Sequence, residues 1–101
     1  MRFIENLKKL RKHTAIMINE ESLFDAISFV CGMDIMLEES ILYGFREWLL
    51  TKKLKKTSPF SLDEVVQTYL ESQGIDKKKQ AVAFLDLVFE FLEDKGITDV
   101  R

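Results

Sequence analysis

Apolar positions in this chain recur at helical rather than strand spacing. Phe3, Ile4, Leu7 and Leu10 share one face, with Lys8, Lys9, Arg11 and Lys12 elsewhere. This predicts a short helix whose basic last turn suits the negative end of the macrodipole. Thr14-Ala15-Ile16-Met17-Ile18 is β-branched and apolar and reads as an extended connector. Beyond it Asn19 and Ser22 look like helix caps, and Ser22-Leu23-Phe24-Asp25 has a capping-box shape with Asp in place of Glu. Leu23, Ala26, Ile27 and Val30 then form an apolar face, with Asp25, Ser28 and Gly32 opposite. Continued at about 100° per residue, this helix would carry Asp34 into the middle of that face, where an unpaired carboxylate is costly. The helix is therefore expected to end or bend near Gly32, and a second one to begin between Asp34 and Ser40.

The segment Ser40 to Leu50 holds the chain's one tryptophan together with Tyr43, Phe45 and Arg46. As a helix it is apolar on two sides. Ile41, Phe45, Trp48 and Leu49 fall on one arc; Tyr43, Leu50 and Leu54 form a narrower strip on another. Gly44 is placed where a missing side chain would let another backbone approach. Lys52, Lys53, Lys55 and Lys56 close this helix with positive charge.

Thr57-Ser58-Pro59-Phe60 is a clear break, and Ser61-Leu62-Asp63-Glu64 a good capping box. The next helix presents Leu62, Val65, Val66, Tyr69 and Leu70 as far as Gln73, with Gly74 as its C-cap. Asp76 is expected to cap a last helix from Lys77 to Lys95, ended by Gly96. Ala81, Val82, Phe84, Leu85, Leu87, Val88, Phe89, Phe91 and Leu92 sweep more than half its circumference. Asp86, Glu90, Glu93 and Asp94, with Ala83 among them, hold the solvent strip. A helix so apolar is either central to the bundle or part of a subunit interface. The fold class expected is all-α, a compact bundle of about five helices with a long apolar C-terminal helix, and residues 1–101 form one domain.

Composition narrows the function classes. Net charge is −2, so no global positive field draws in nucleic acid or an anionic membrane. Cys31 is the only cysteine, which excludes an intrachain disulfide and fits a reduced, cytoplasmic setting. No window approaches the ~20 apolar residues of a membrane span, and the amphipathic N-terminus lacks the apolar run of a signal peptide.

Constellations for chemistry are sparse. His13 and Cys31 are far apart in sequence, and no Cys-x-x-Cys, His-x-x-x-His or Glu-x-x-His spacing occurs, so no metal and no cofactor are expected. Cys31 beside Val30 reads as a buried thiol and His13 as an exposed helix-terminal imidazole, not as a catalytic pair. Glu20-Glu21, Glu38-Glu39 and Asp86/Glu90/Asp94 read as solvated faces and helix-end charge. Residues 62–73, Gly74-Ile75-Asp76 and Lys77-Lys78-Lys79-Gln80 have the outline of a helix-turn-helix. However, Leu70 stands where the motif wants a small residue, Gln73 and Gln80 stand where it wants apolar ones, and the second helix is too apolar to lie in a groove. Interaction is what remains. Tyr43, Phe45, Arg46 and Trp48 are of types enriched at binding hot spots, Phe45 and Trp48 facing the core.

Tyr43-Gly44-Phe45-Arg46-Glu47-Trp48-Leu49 resembles the "GF-x-EW" segment of small helical bacterial proteins among polymorphic-toxin immunity proteins and related families. Ser22-Leu23, Phe29 and Gly32 upstream, and Ala81, Phe84, Leu87, Phe91 and Leu92 downstream, are similar to that group. The likeness runs loosely over residues 20–95, and only the seven-residue stretch is specific. The Phe3–Ile18 lead-in and residues 52–56 have no counterpart, and no catalytic residues are carried over. The resemblance implies a stoichiometric inhibitor of a cognate toxin.

The leading expectation is thus a non-enzymatic protein–protein interaction module, immunity-like, contacting a protein partner through Tyr43, Arg46, Leu50, Leu54, Asp86, Glu90 and Asp94. Arg46→Ala with Glu90→Lys is expected to abolish capture of that partner without unfolding the chain. The apolar surplus of the last helix predicts a homodimer. The alternative is a helix-turn-helix-like DNA-binding regulator using Lys77–Gln80.

Overall fold

In a computed structural model, which describes residues 2–97, the chain is all-helical, with six α-helices and no strand among the described residues. They are α1 (Arg2–Lys12), α2 (Thr14–Met17), α3 (Leu23–Leu37), α4 (Phe45–Trp48), α5 (Leu62–Ser72) and α6 (Gln80–Asp94). Helix α4 runs directly into a π-helix, Leu49–Leu54, and a 3₁₀ turn, Lys77–Lys79, leads into α6. The radius of gyration is 12.8 Å, close to the ~13 Å of a compact 100-residue domain.

Helix α6 sits at the centre. Nine of its fifteen residues are buried, and it touches α1, α3, α4 and α5. Phe45 of α4 meets Phe84 and Phe91 of α6 edge-on, with ring centroids 6.1 and 5.2 Å apart. Trp48 stacks on Phe45 at 5.9 Å and meets Phe91 edge-on at 5.5 Å. Such aromatic geometry adds to the burial of the rings themselves. Phe3, Leu7 and Leu10 of α1 and Ala26, Ile27 and Val30 of α3 complete the core from the other side.

Several boundaries differ from the sequence reading, each for a local reason. Residues 14–17 are helical, and of the expected connector only Ile18 is extended: the amides of Ile16, Met17 and Ile18 donate to the carbonyls of His13, His13 and Thr14. The Thr14 hydroxyl donates back to the carbonyls of Leu10 and Arg11, which satisfies it inside the core. This extra turn, α2, makes six helices where about five were expected. Helix α3 does not stop at Gly32 but continues to Leu37. Asp34 escapes the cost of burial without a partner because its Oδ1 accepts the Ile41 amide at 2.8 Å and its Oδ2 the Leu42 amide at 3.1 Å. The chain then leaves α3 through left-handed residues Glu38 and Ser40, and α4 starts only at Phe45.

Caps also redistribute. The Ser22 hydroxyl accepts the Asp25 amide, whereas Ser61 and Asp76 make no side-chain cap. At the start of α1, Glu39 Oε1 accepts the Phe3 amide at 2.9 Å and so fills an orphan donor of that helix. The helix expected over 77–95 is a 3₁₀ turn followed by the shorter α6.

Candidate functional site

The seven residues expected to face a partner are placed by α4, the π-helix and α6, and most are engaged within the chain. Leu50 is in the core and Leu54 packs against it, both on α5 rather than on a free strip. They share a shallow recess with Pro59, Phe60, Val65 and Thr68. The wider turn of the π-helix lets Leu49 and Leu50 be buried together. It also carries Lys53 five residues on from Trp48, with Nζ 5.6 Å from the indole centroid.

Three acids of the α6 strip each hold a different element. Asp86 Oδ1 accepts Arg11 Nε of α1 at 2.9 Å, with a longer second contact from Arg11 Nη2 to Oδ2. Glu90 Oε1 pairs with Lys53 Nζ of the π-helix. Asp94 Oδ2 accepts the Trp48 Nε1–H of α4 at 2.7 Å. The hydrogen bond from Lys53 to Glu90 holds the Lys53 ammonium above its ordinary pKa range, against a smaller opposing effect of burial. At the same end of α6, Lys95 Nζ lies 5.0 Å from the Phe91 centroid and 3.4 Å from the Ile41 carbonyl. The acidic strip is thus an internal latch.

Arg46 is a clasp. Its Nε donates to the Phe60 carbonyl at 2.8 Å, its Nη2 to the Ser58 carbonyl, and its Nη1 reaches Glu47 Oε1 at 3.2 Å. It therefore ties the Thr57–Ser61 break to α4. Tyr43, just before this clasp, is 83% exposed, and Phe60, whose backbone it holds, is also exposed.

Burial first, and then the nearby Asp63 and Asp34 carboxylates, push the half-buried Cys31 thiol up, which keeps it protonated. Among the described residues no group of three or more His, Cys, Asp or Glu side chains is placed to hold a metal ion. No described helix is long and apolar enough to cross a membrane. Where the helix-turn-helix outline needs an exposed recognition helix, α6 is largely buried from Gln80 onward. Gln80 itself is 3% exposed and donates to the Ile75 carbonyl, so it fastens the turn.

Sequence reasoning missed the apolar residues left outside: Phe24, Ile35 and Met36 on α3, Ile16 and Met17 on α2, and Phe60. The signal was present in α3, whose residues 23–37 carry Phe24, Phe29, Met33, Ile35 and Met36 as well as its core face. Compared with known proteins, the chain matches no family model, no curated protein and no solved structure.

Proposed function

We propose that this protein is a non-enzymatic protein–protein interaction module, working in the cytoplasm by surface complementarity, with immunity-like inhibition of a toxin as its specific form. The observation that carries the reading is a pair of exposed aromatics on either side of the Arg46 clasp in sequence, Tyr43 and Phe60, with the Phe60 carbonyl held by Arg46. Aromatic side chains with few torsions, held on a braced backbone, bind with little loss of conformational freedom. In this reading Tyr43 and Phe60 contact the partner and Arg46 positions Phe60. Leu50, Leu54, Asp86, Glu90 and Asp94 hold the platform on which they stand.

The test is affinity capture from native cells with the wild-type chain and with Tyr43→Ala/Phe60→Ala. One protein should be retained in near-stoichiometric amount by the wild type and lost at least ~10-fold by the variant, the effect of removing a hot-spot aromatic. Co-expression should then relieve the growth arrest that the captured protein causes alone. Equal retention by the folded variant removes Tyr43 and Phe60 from the site. A captured protein that is harmless alone removes the immunity-like form and leaves the interaction module.

A further inference from the structure

The most evenly apolar helix is α3, and its outer face has an internal symmetry. Phe24, Ser28, Cys31 and Ile35 are spaced four, three and four residues apart. At about 100° per residue they fall within an arc of about 60° and form one stripe along the helix. Its ends are large and exposed, Phe24 at 65% and Ile35 at 74%. Its middle is small: Ser28 is exposed, Cys31 is half-buried, and Gly32 beside them has open space where a Cβ would stand. Met36, 82% exposed, flanks the Ile35 end. No charged side chain lies on the stripe between Phe24 and Ile35.

A stripe of large, small, small, large at 4-3-4 spacing reads the same from either end. Laid antiparallel on its own copy about an axis between positions 29 and 30, it sets Phe24 against Ile35 and Ser28 against Cys31, twice over. That is the self-complementarity of a two-fold isologous interface, in which residue i meets j and j meets i. The small middle admits close approach of the two backbones, and antiparallel helices align their dipoles favourably. Phe24, Ile35 and Met36 leave on the order of 400 Å² per copy. With Ser28, Gly32 and the helix ends, two copies would bury roughly 1,000 Å² in total, near the lower bound for a specific interface. An interface of that size makes the association weak.

The geometry points to the outer face of α3 as a homodimer interface in which two copies pack antiparallel, Phe24 of each facing Ile35 of the other. This deepens the reading of the protein as an interaction module and rests on residues other than Tyr43 and Phe60. It also moves the expected dimer from α6, which is buried, to α3. Glu20 and Glu21 at one end of α3 would approach Glu38 at the other end of the second copy, so association should strengthen as salt screens them.

Sedimentation velocity over ~5–500 μM protein is the test, with circular dichroism to verify folding. The wild type should pass from monomer to dimer, with the dimer fraction rising with salt. Ile35→Glu and Phe24→Lys should each be monomeric throughout, and Ile16→Glu, on α2, should dimerise like the wild type. An equimolar mixture of Phe24→Lys and Ile35→Glu should regain dimer, because antiparallel packing sets the new lysine against the new glutamate, whereas parallel packing does not. A wild type monomeric at 500 μM, or a folded Ile35→Glu variant that still dimerises, overturns the proposal. So does failure of the mixture to associate. None of these outcomes alters capture through Tyr43 and Phe60, so the two readings fail separately.

Discussion

Single residues in this chain are decided by backbone conformation as often as by what they touch. Gly44 reads from the sequence as a site of close backbone approach, yet a Cβ there would meet nothing within 4 Å. What Gly44 supplies is φ of +84°, which turns the chain into α4. Lys55 ends the π-helix at φ +55°, a left-handed position that glycine occupies at lower cost. Gly44→Ala should therefore lower stability by about 1 kcal/mol and Lys55→Gly raise it by up to about 1 kcal/mol, measured by urea denaturation. A destabilised Lys55→Gly variant would show that the lysine side chain matters there more than the φ angle. Neither conformation was legible beforehand, because composition and periodicity mark apolar faces and say nothing of the sign of φ at one residue.

Among elements, helix existence followed the period of the apolar residues, and boundaries followed hydrogen bonds between distant positions. The faces of α1, α5 and α6 were legible because Phe3/Leu7/Leu10, Val65/Val66/Leu70 and Phe84/Leu87/Phe91 repeat at helical spacing. The run of α3 past Asp34 was not, because a carboxylate on an apolar face reads as a break until its partners, the Ile41 and Leu42 amides, are known. Asp34→Ala should cost about 1–3 kcal/mol in thermal or urea unfolding, and Asp34→Asn less, since its amide oxygen still accepts one of the two bonds. Equal losses in the two variants would mean that the loop does not depend on that acceptor. The π-helix was equally hidden. Read at 3.6 residues per turn, Leu50 and Leu54 separate onto a second strip, whereas in the wider turn they pack on α5.

For the molecule as a whole, the charged strip and the aromatic segment prove to be parts of one internal brace. Asp86 holds α1, Glu90 the π-helix and Asp94 the Trp48 indole, while Arg46 holds the Thr57–Ser61 break. The variant Arg46→Ala with Glu90→Lys, expected from the sequence to leave the fold intact, should on this account lower the melting temperature. Its new lysine would face Lys53. Two groups give a pH dependence of the same sign. Cys31 and Lys53 are both raised in the folded chain, from ordinary values of 9.0 and 10.5, so what each contributes is present below that value and lost as pH rises through its folded one. Stability should fall from about pH 9 upward; Cys31→Ser should remove the earlier part of the fall and Glu90→Gln the later part, read from melting curves between about pH 7 and 11. The account turns on separating brace from binding face. Its most direct test measures melting temperature and partner capture together for Asp94→Asn, Asp86→Asn and Tyr43→Ala/Phe60→Ala. The two strip variants should melt lower, each losing about 0.5–1 kcal/mol, and still capture the partner. The aromatic variant should melt like the wild type and lose capture; the opposite pattern, with capture lost from the strip and kept without the aromatics, would contradict it.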